Sequence, residues 1–297
     1  MLVTRAATLA LTLAAALAGA ANAAETCPAM FADGRAPVLA NPKLAARTLP
    51  LCFEAFAVLH SGVSRTPLYA AEHVTRDSVA AARTVARDDS FHDEARLPAD
   101  ARASLEDYVR SGFDRGHLAP AGDMPTLSAQ AQSFSLANIV PQDRVMNRGL
   151  WADIEESVRR LASRRGSLYV VTGAIFAGDA VQEIKGGVLV PSQLYKALYD
   201  PATGEAGAYL ARNTAARDWQ AVSIDALQTA AGVDPFPSLS PAARSTAMAL
   251  PEPHALSRGD EARQRRETRE PGWQDWFTRE LARTARKALR DLVRSIF

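Results

Sequence analysis

Runs of strand-prone residues alternate with blocks of helical period along this chain, and that alternation limits its fold more than any single motif does. The run "RGSLYVVTGAIF" (165–176) is dense in β-branched and aromatic residues and reads as a strand, as do "EAFAVLH" (54–60) and "PLYAAEHVT" (67–75). "GVLVPSQLYKALYD" (187–200), followed by "AGAYLARN" (206–213), reads as a strand, a crossing segment and another strand. Helical patterns lie between them: "ADARASLEDYVRSG" (99–112), "LWADIEESVRRLASRRG" (150–166) and "VSIDALQTAAG" (222–232), the first and third closed by Gly and the second by Arg-Arg-Gly. With 297 residues, 47% of them hydrophobic, the chain can bury a sizeable core as one large or two smaller domains. The expectation is a globular fold of mixed α/β kind, without internal repeats.

The two ends read differently. Arg5 precedes the apolar run "AATLALTLAAALAGA", which ends in Ala21-Asn22-Ala23, the charge, apolar and A-x-A order of a secretory signal peptide over residues 1–23. The run is short for a bilayer span and has no flanking stop signal, so no membrane insertion is expected after cleavage, and the mature chain would be periplasmic or secreted. Near Ala249 a Pro-, Ser- and Ala-rich stretch, "PSLSPAARSTAMALPEPHALSRG", reads as a linker that ends a domain spanning 24–249. Beyond it, residues 250–297 close on a basic amphipathic helix in which Trp273, Trp276, Phe277 and Leu281 share a face with Leu289, Leu292 and Ile296. That helix could dock on the domain, add phosphate contacts as a basic arm, or lie on an anionic membrane surface.

Export gives the two cysteines a meaning. In an oxidising compartment Cys27 and Cys52 most simply form one disulfide, worth about 3 kcal/mol for a loop of this size, since a zinc site needs more ligands than two. The net charge of +1 falls to zero once residues 1–23, whose one charged residue is Arg5, are removed. A neutral chain gives no global reason to bind a polyanion, so any nucleic-acid contact must come from a local cluster of Arg and Lys.

In the stretch "GFDRGHLAPAGDM" (112–124), Asp114, Arg115, Gly116 and His117 are consecutive, between a helical block and an extended segment. A histidine with an ordinary pKa near 6.5 can take a proton from water at neutral pH, and an adjacent arginine fork can bind phosphate. The bland reading of the tetrad is a salt-bridged surface loop. Thirty residues on, "SFSLANIVPQDRVMNRGLWADIEESVRR" sets Asn138 in a short apolar segment and Asn147 at the mouth of a helix. An amide oxygen suits magnesium, which prefers oxygen and keeps most of its waters, better than zinc. At about 100° per residue, Trp151, Ile154, Val158 and Leu161 form the buried stripe of that helix; Glu155 and Arg159 share its edge nearest the loop, while Glu156 and Arg160 point away. A plain i,i+4 ion pair would account equally for Glu155 and Arg159.

In this order, "DRGH", "LANIVPQ", the N…W…E…R spacing, "YVVTG" and "VPSQLYK" resemble the DNA/RNA non-specific endonuclease family over roughly residues 50–240. The resemblance implies a fold of the α+β type with a mixed, mainly antiparallel sheet and helices. It also implies a ββα-metal site, in which two strands and a helix enclose one divalent ion. By that resemblance His117 is the general base, Asn147 the direct ligand of Mg2+ (or Mn2+), and Glu155 the acid that holds a metal-bound water. Arg115, Asn138 and Arg159 would support the base or contact substrate phosphate. Arg87, or else Arg83, would be an upstream substrate arginine. The implied partners are DNA and RNA substrates, with a homodimer possible.

Other enzyme classes leave no trace: there is no G-x-S-x-G, H-E-x-x-H, G-x-x-x-x-G-K-[ST] or dinucleotide fingerprint. His60, His73, His92 and His254 read as ordinary strand or loop residues. The rival from a different class is a non-catalytic nucleic-acid-binding or uptake module, which should have lost the base, the ligand or the acid, and His117, Asn147 and Glu155 are all present.

Overall fold

Val170, Ala174, Leu194 and Leu198 belong to one apolar cluster while Val171, Ile175, Tyr195 and Ala197 belong to another, so successive residues of the same strands face opposite sides of a sheet covered on both. A computed structural model, which describes residues 27–178 and 181–254, shows that sheet. Its longer strands are β1 (Thr48–Cys52), β2 (Ala57–Ser61), β3 (Thr66–Thr75), β4 (Asp114–His117), β5 (Ile139–Gln142), β6 (Ser167–Ile175), β7 (Gln193–Asp200), β8 (Glu205–Arg212) and β9 (Trp219–Val222). Seven of these form one antiparallel sheet in the order β9-β8-β7-β6-β3-β2-β1, while β4 and β5 pair with each other apart from it. The main helices are α1 (Arg76–Ala82), α2 (Leu105–Tyr108), α3 (Leu127–Ser133), α4 (Ala152–Arg165), α5 (Ile224–Ala231) and α6 (Pro241–Ser245). The fold is of the α+β type with a large antiparallel sheet, as the resemblance implied.

Helix α4 packs its stripe of Ile154, Val158, Leu161 and Ala162 against one face of the sheet, with Trp151 just before it. Acids in its first turn and Arg164 and Arg165 in its last suit the helix dipole. It stops at Gly166, whose φ of 102° is open to a residue without Cβ, and the Gly166 N–H closes the last turn on Ala162. The opposite sheet face is covered by Phe31 and Cys27 from the start of the described chain, by Ile224 and Leu227 of α5, and by Phe236. Cys27 and Cys52 both lie against that second cluster, on the side of the sheet away from α4.

Two expectations change. The helix expected over residues 99–112 shrinks to α2, because the backbone before it is taken up by side chains from β2 and from the residues leading into β1 and β3. Arg47 and Arg65 donate to the Asp100 carbonyl and His60 Nε2 bonds the Ala101 carbonyl at 2.9 Å, so these oxygens are not free for helical N–H groups. The Pro- and Ser-rich stretch read as a linker is packed in its first half. Ser240 caps α6, Arg244 pairs with Asp225 and Asp234, the Met248 N–H donates to the Ala206 carbonyl at 2.7 Å, and the Tyr209 hydroxyl donates to Pro251. The signal-peptide stretch and the basic amphipathic helix lie outside the described residues. Among the described residues no helix is long and apolar enough to cross a membrane.

Candidate active site

The tetrad is itself a strand. Asp114 to His117 pair antiparallel with Gln142 to Ile139, so the base expected from the sequence sits at the inner end of a short β-ribbon. Gly116 is required there because a Cβ would run into the Gln142 side chain, which fills the space over the ribbon. Past His117 the chain is gripped by Asn138, which is fully buried: its Oδ1 accepts from the Ala119 N–H at 2.9 Å and its Nδ2 donates to the carbonyls of Ala119 and Ser133. All of this amide is used on backbone, so of the two roles expected of Asn138, supporting the base or contacting substrate phosphate, the contacts present are those of support: it is a scaffold for the segment that carries His117.

His117 stands between two rings, edge-on to Phe134 at 4.9 Å and tilted against Phe91 at 5.4 Å. Burial first, and then the charges of Arg87 and Arg115, push its pKa down to about 3. The imidazole is therefore neutral at physiological pH, with a lone pair available. Its Nε2 is buried and has no hydrogen-bond partner among the described residues. The two arginines lie over the same rings, Arg115 at 4.2 Å from Phe91 and Arg87 at 5.5 Å from Phe134.

Asn147 opens a single wide turn of π-helical form, Asn147–Trp151, that leads into α4. Its Nδ2 donates to Asp114 at 3.2 Å, which leaves Oδ1 as the unengaged end of the amide. Asp114 also receives Arg148 at 2.7 and 3.0 Å and Arg144 at 3.3 Å. Burial alone would raise the Asp114 pKa, but the hydrogen bonds from Arg148 and Asn147 outweigh it and hold the carboxyl below the usual range. An ionised Asp114 can only accept, so it fixes which way the Asn147 amide points.

On α4, Glu155 faces the same space and no hydrogen bond or ion pair engages its carboxyl among the described residues. Burial raises its pKa to about 7, against the pull of Lys196 and Arg159. Arg159 does not pair with it. The guanidinium bonds Asp123 at 2.8 Å and Glu156 at 2.9 Å, so Glu156, expected to point away, is instead the clamp that holds Arg159. Asp123 lies in the "GDM" that ends the 112–124 stretch, and nothing in its local pattern marked it as a partner.

These groups line one cavity of about 520 Å³, with Arg87, Arg115, His117, Asn147, Glu155 and Arg159 in its wall. Arg83 ends α1 and is not in that wall, so of the two upstream candidates the structure brings only Arg87 to the site. Four arginines line the cavity. Three are tied to acids, Arg87 to Asp89, Arg148 to Asp114 and Arg159 to Asp123, whereas no carboxylate pairs with Arg115 among the described residues. Its fork is free for phosphate. Among the described residues no group of three or more His, Cys, Asp or Glu side chains could hold an ion. What the wall does offer a hard cation is an amide oxygen and a carboxylate, a donor set that fits an ion keeping most of its own water.

The loop carrying Phe91 is anchored by Glu94, which accepts from the Arg96 backbone and guanidinium and from Ser135. Burial opposes ionisation, but these bonds, led by Arg96, bring its pKa down to about 2. A depressed acid contributes stability above its unfolded pKa and loses it as pH falls, so this contribution should fade between about pH 4.5 and pH 2. Glu94→Gln should cost about 1–3 kcal/mol at neutral pH, with a melting-temperature deficit that shrinks toward pH 3. An equal deficit at both pH values would show that the charge is not its source.

A model of the DNA/RNA non-specific endonuclease family matches residues 39–242. Nuclease C1 of Cunninghamella echinulata var. echinulata is 34% identical over 168 residues, covering 52% of this chain and 67% of that protein. The mitochondrial endonuclease G of Caenorhabditis elegans is 32% identical over 210 residues, 64% of this chain and 68% of that one. A chain in the crystal structure of an EndoG/EndoGI complex superposes with a TM-score of 0.56 at 27% identity, covering 62% of this chain and 84% of its own length. With the β-ribbon, the helix and the arginine-lined cavity between them, these matches show that the chain is a nuclease of the hydrolase class and belongs to the DNA/RNA non-specific endonuclease family.

Proposed function

We propose that the chain cuts DNA and RNA internally, using His117 as general base and one hydrated divalent ion, magnesium or manganese, at Asn147. The observation that carries this reading is the meeting in one cavity of a neutral His117, the outward Oδ1 of Asn147, and an Arg115 and a Glu155 that no ion pair engages among the described residues. A phosphodiester resists hydrolysis because its charge repels a nucleophile and its alkoxide leaving group is very basic. A bound divalent ion would offset both, by drawing charge from a non-bridging oxygen and from the departing one. Asn147 would hold it, with Glu155 orienting one of its waters.

The protein's own groups do the rest. Arg115 binds the phosphate; His117 removes a proton from water as the water oxygen bonds to phosphorus. The bond to the 3′-oxygen breaks as that oxygen takes a proton from a second water and leaves as an alcohol, so the other product carries a 5′-phosphate. With arginines aimed at phosphate and nothing built to read base edges, recognition runs through the backbone and is largely sequence-independent.

Plasmid DNA and a structured RNA, each incubated with the mature protein with and without a chelator, test this directly. Both should be degraded to 5′-phosphorylated fragments, and chelator should stop it. Binding without cleavage in magnesium would instate the non-catalytic module; cleavage indifferent to chelator would remove the single-ion mechanism. The leader-like N-terminus supports export to the periplasm or beyond, where Cys27 and Cys52 would form a disulfide. Mass spectrometry of unreduced exported protein should then show a two-hydrogen deficit, and its absence would sink the pairing.

A further inference from the structure

The sheet face beneath the cavity is apolar along Ala70, Val74, Leu168, Val170, Leu194 and Leu198, yet three buried polar side chains interrupt it: Glu72 on β3, Thr172 on β6 and Lys196 on β7. Lys196 is the lysine of "VPSQLYK", the one charged side chain in that motif, and the mechanism above leaves it unused. It is 1% exposed and sits directly across from Thr172 in the sheet. Its Nζ donates to Thr172 Oγ1 at 2.5 Å and to the Leu118 carbonyl at 3.4 Å, and stands 5.7 Å from the Trp151 ring centroid. No carboxylate lies within ion-pair distance of it among the described residues. Burying an ammonium without a contacting acid is costly, and an apolar residue would fill the same place more cheaply.

What the ammonium reaches is informative. Leu118 directly follows His117, and Trp151 directly precedes α4, which carries Glu155 and Arg159. The dipeptide after the base has four backbone polar groups, and Asn138 takes three: its carbonyl accepts the Leu118 N–H at 3.0 Å, and its side chain binds both the N–H and the C=O of Ala119. The fourth, the Leu118 carbonyl, goes to Lys196. We infer that Lys196 is a positioning residue for the hydrolysis, fixing the backbone just past His117 to the sheet floor and to the start of α4, so that base and helix keep their relative placement. Only a long cationic stem with several N–H groups can rise from a central strand and bind a hydroxyl and a carbonyl on two other elements at once. Its charge also pulls Glu155 and Glu72 back toward ionisation against the burial that raises both.

The inference rests on His117 being the base, and the experiment separates the two. Lys196→Met, Thr172→Val, His117→Ala and the His117→Ala/Lys196→Met double variant are compared by kcat and KM on plasmid DNA, with melting curves confirming that each is folded. Lys196→Met should lower kcat by about tenfold or more with KM changed by less than about twofold, the split expected when a reacting group is misplaced while substrate binding is kept. In the His117→Ala background the same change should cost less than about twofold further, because no base remains to be misplaced. A folded Lys196→Met enzyme with parental kcat overturns the inference, as does an equal loss in both backgrounds. If Lys196→Met does not fold, Thr172→Val removes the ammonium's shorter anchor while keeping the core filled; it should lower kcat several-fold at constant KM, and parental kcat there overturns the inference too. Near-parental turnover in His117→Ala would instead overturn the reading of His117 as base.

Discussion

Cleavage by His117→Ala is expected to fall at least about a hundredfold, the usual scale for losing a general base, while the protein stays folded. The imidazole contributes ring contacts with Phe91 and Phe134, and its Nε2 has no hydrogen-bond partner among the described residues to lose. The ribbon that carries it is held by backbone pairing with β5 and by Asn138. DNA binding should persist, since Arg115 and the other cavity arginines are untouched. Measured kcat on plasmid DNA, paired with a melting curve, decides the matter. Turnover close to the parent's would remove His117 from the mechanism and leave Glu155 as the acid-base group to test next.

Much of the site was legible because its residue types are rarely neighbours without reason. Arg115 and His117 flank Gly116, and Asn147, Glu155 and Arg159 follow at helix-compatible spacing, so these five cavity groups, with Arg87 as one of two upstream candidates, were named from the sequence. The long strands were legible for a different reason: a sheet buried on both faces writes continuous apolar runs such as "YVVTGAI". What stayed hidden were contacts between distant segments. Nothing local marks Asp123 as the partner of Arg159 across 36 residues, or His60 as the group that occupies the Ala101 carbonyl and prevents a longer helix. Which of its two expected roles falls to Asn138 was hidden in the same way, because burial and a full set of backbone partners are properties of the fold and not of the tripeptide around it.

The same distinction explains why the helix edge was misread at Glu156. Wheel geometry put it on the far side from Arg159, yet three residues separate them, a spacing at which side chains meet, and the long arginine reaches back to it at 2.9 Å. Arg159 is thus clamped on two sides, by Asp123 and Glu156, before any substrate arrives. A guanidinium held this way can present one fixed edge to a phosphate, whereas Arg115 is held over the Phe91 ring and, among the described residues, no carboxylate occupies its fork. Both cations line the same cavity.

Asn147→Ala should abolish magnesium-supported cleavage and leave DNA binding measurable. The amide is turned by Asp114, which takes its Nδ2 at 3.2 Å and so directs Oδ1 to the only role left for it, an oxygen donor toward the cavity. Alanine removes that donor without unfastening the surroundings, because Asp114 keeps Arg148 at 2.7 and 3.0 Å and Arg144 at 3.3 Å. Glu155 alone would then face the ion, and a single protein carboxylate gives a largely hydrated cation little to fix its position. Two measurements test this: calorimetric titration of Mg2+ into the free protein, where the variant should lose the binding heat of the parent, and filter binding of DNA in chelator, where the two should agree. Parental cleavage by the variant at saturating Mg2+ would place the ligand elsewhere, with Glu155 first in line. Loss of DNA binding along with cleavage would mean instead that Asn147 holds the substrate and not the ion.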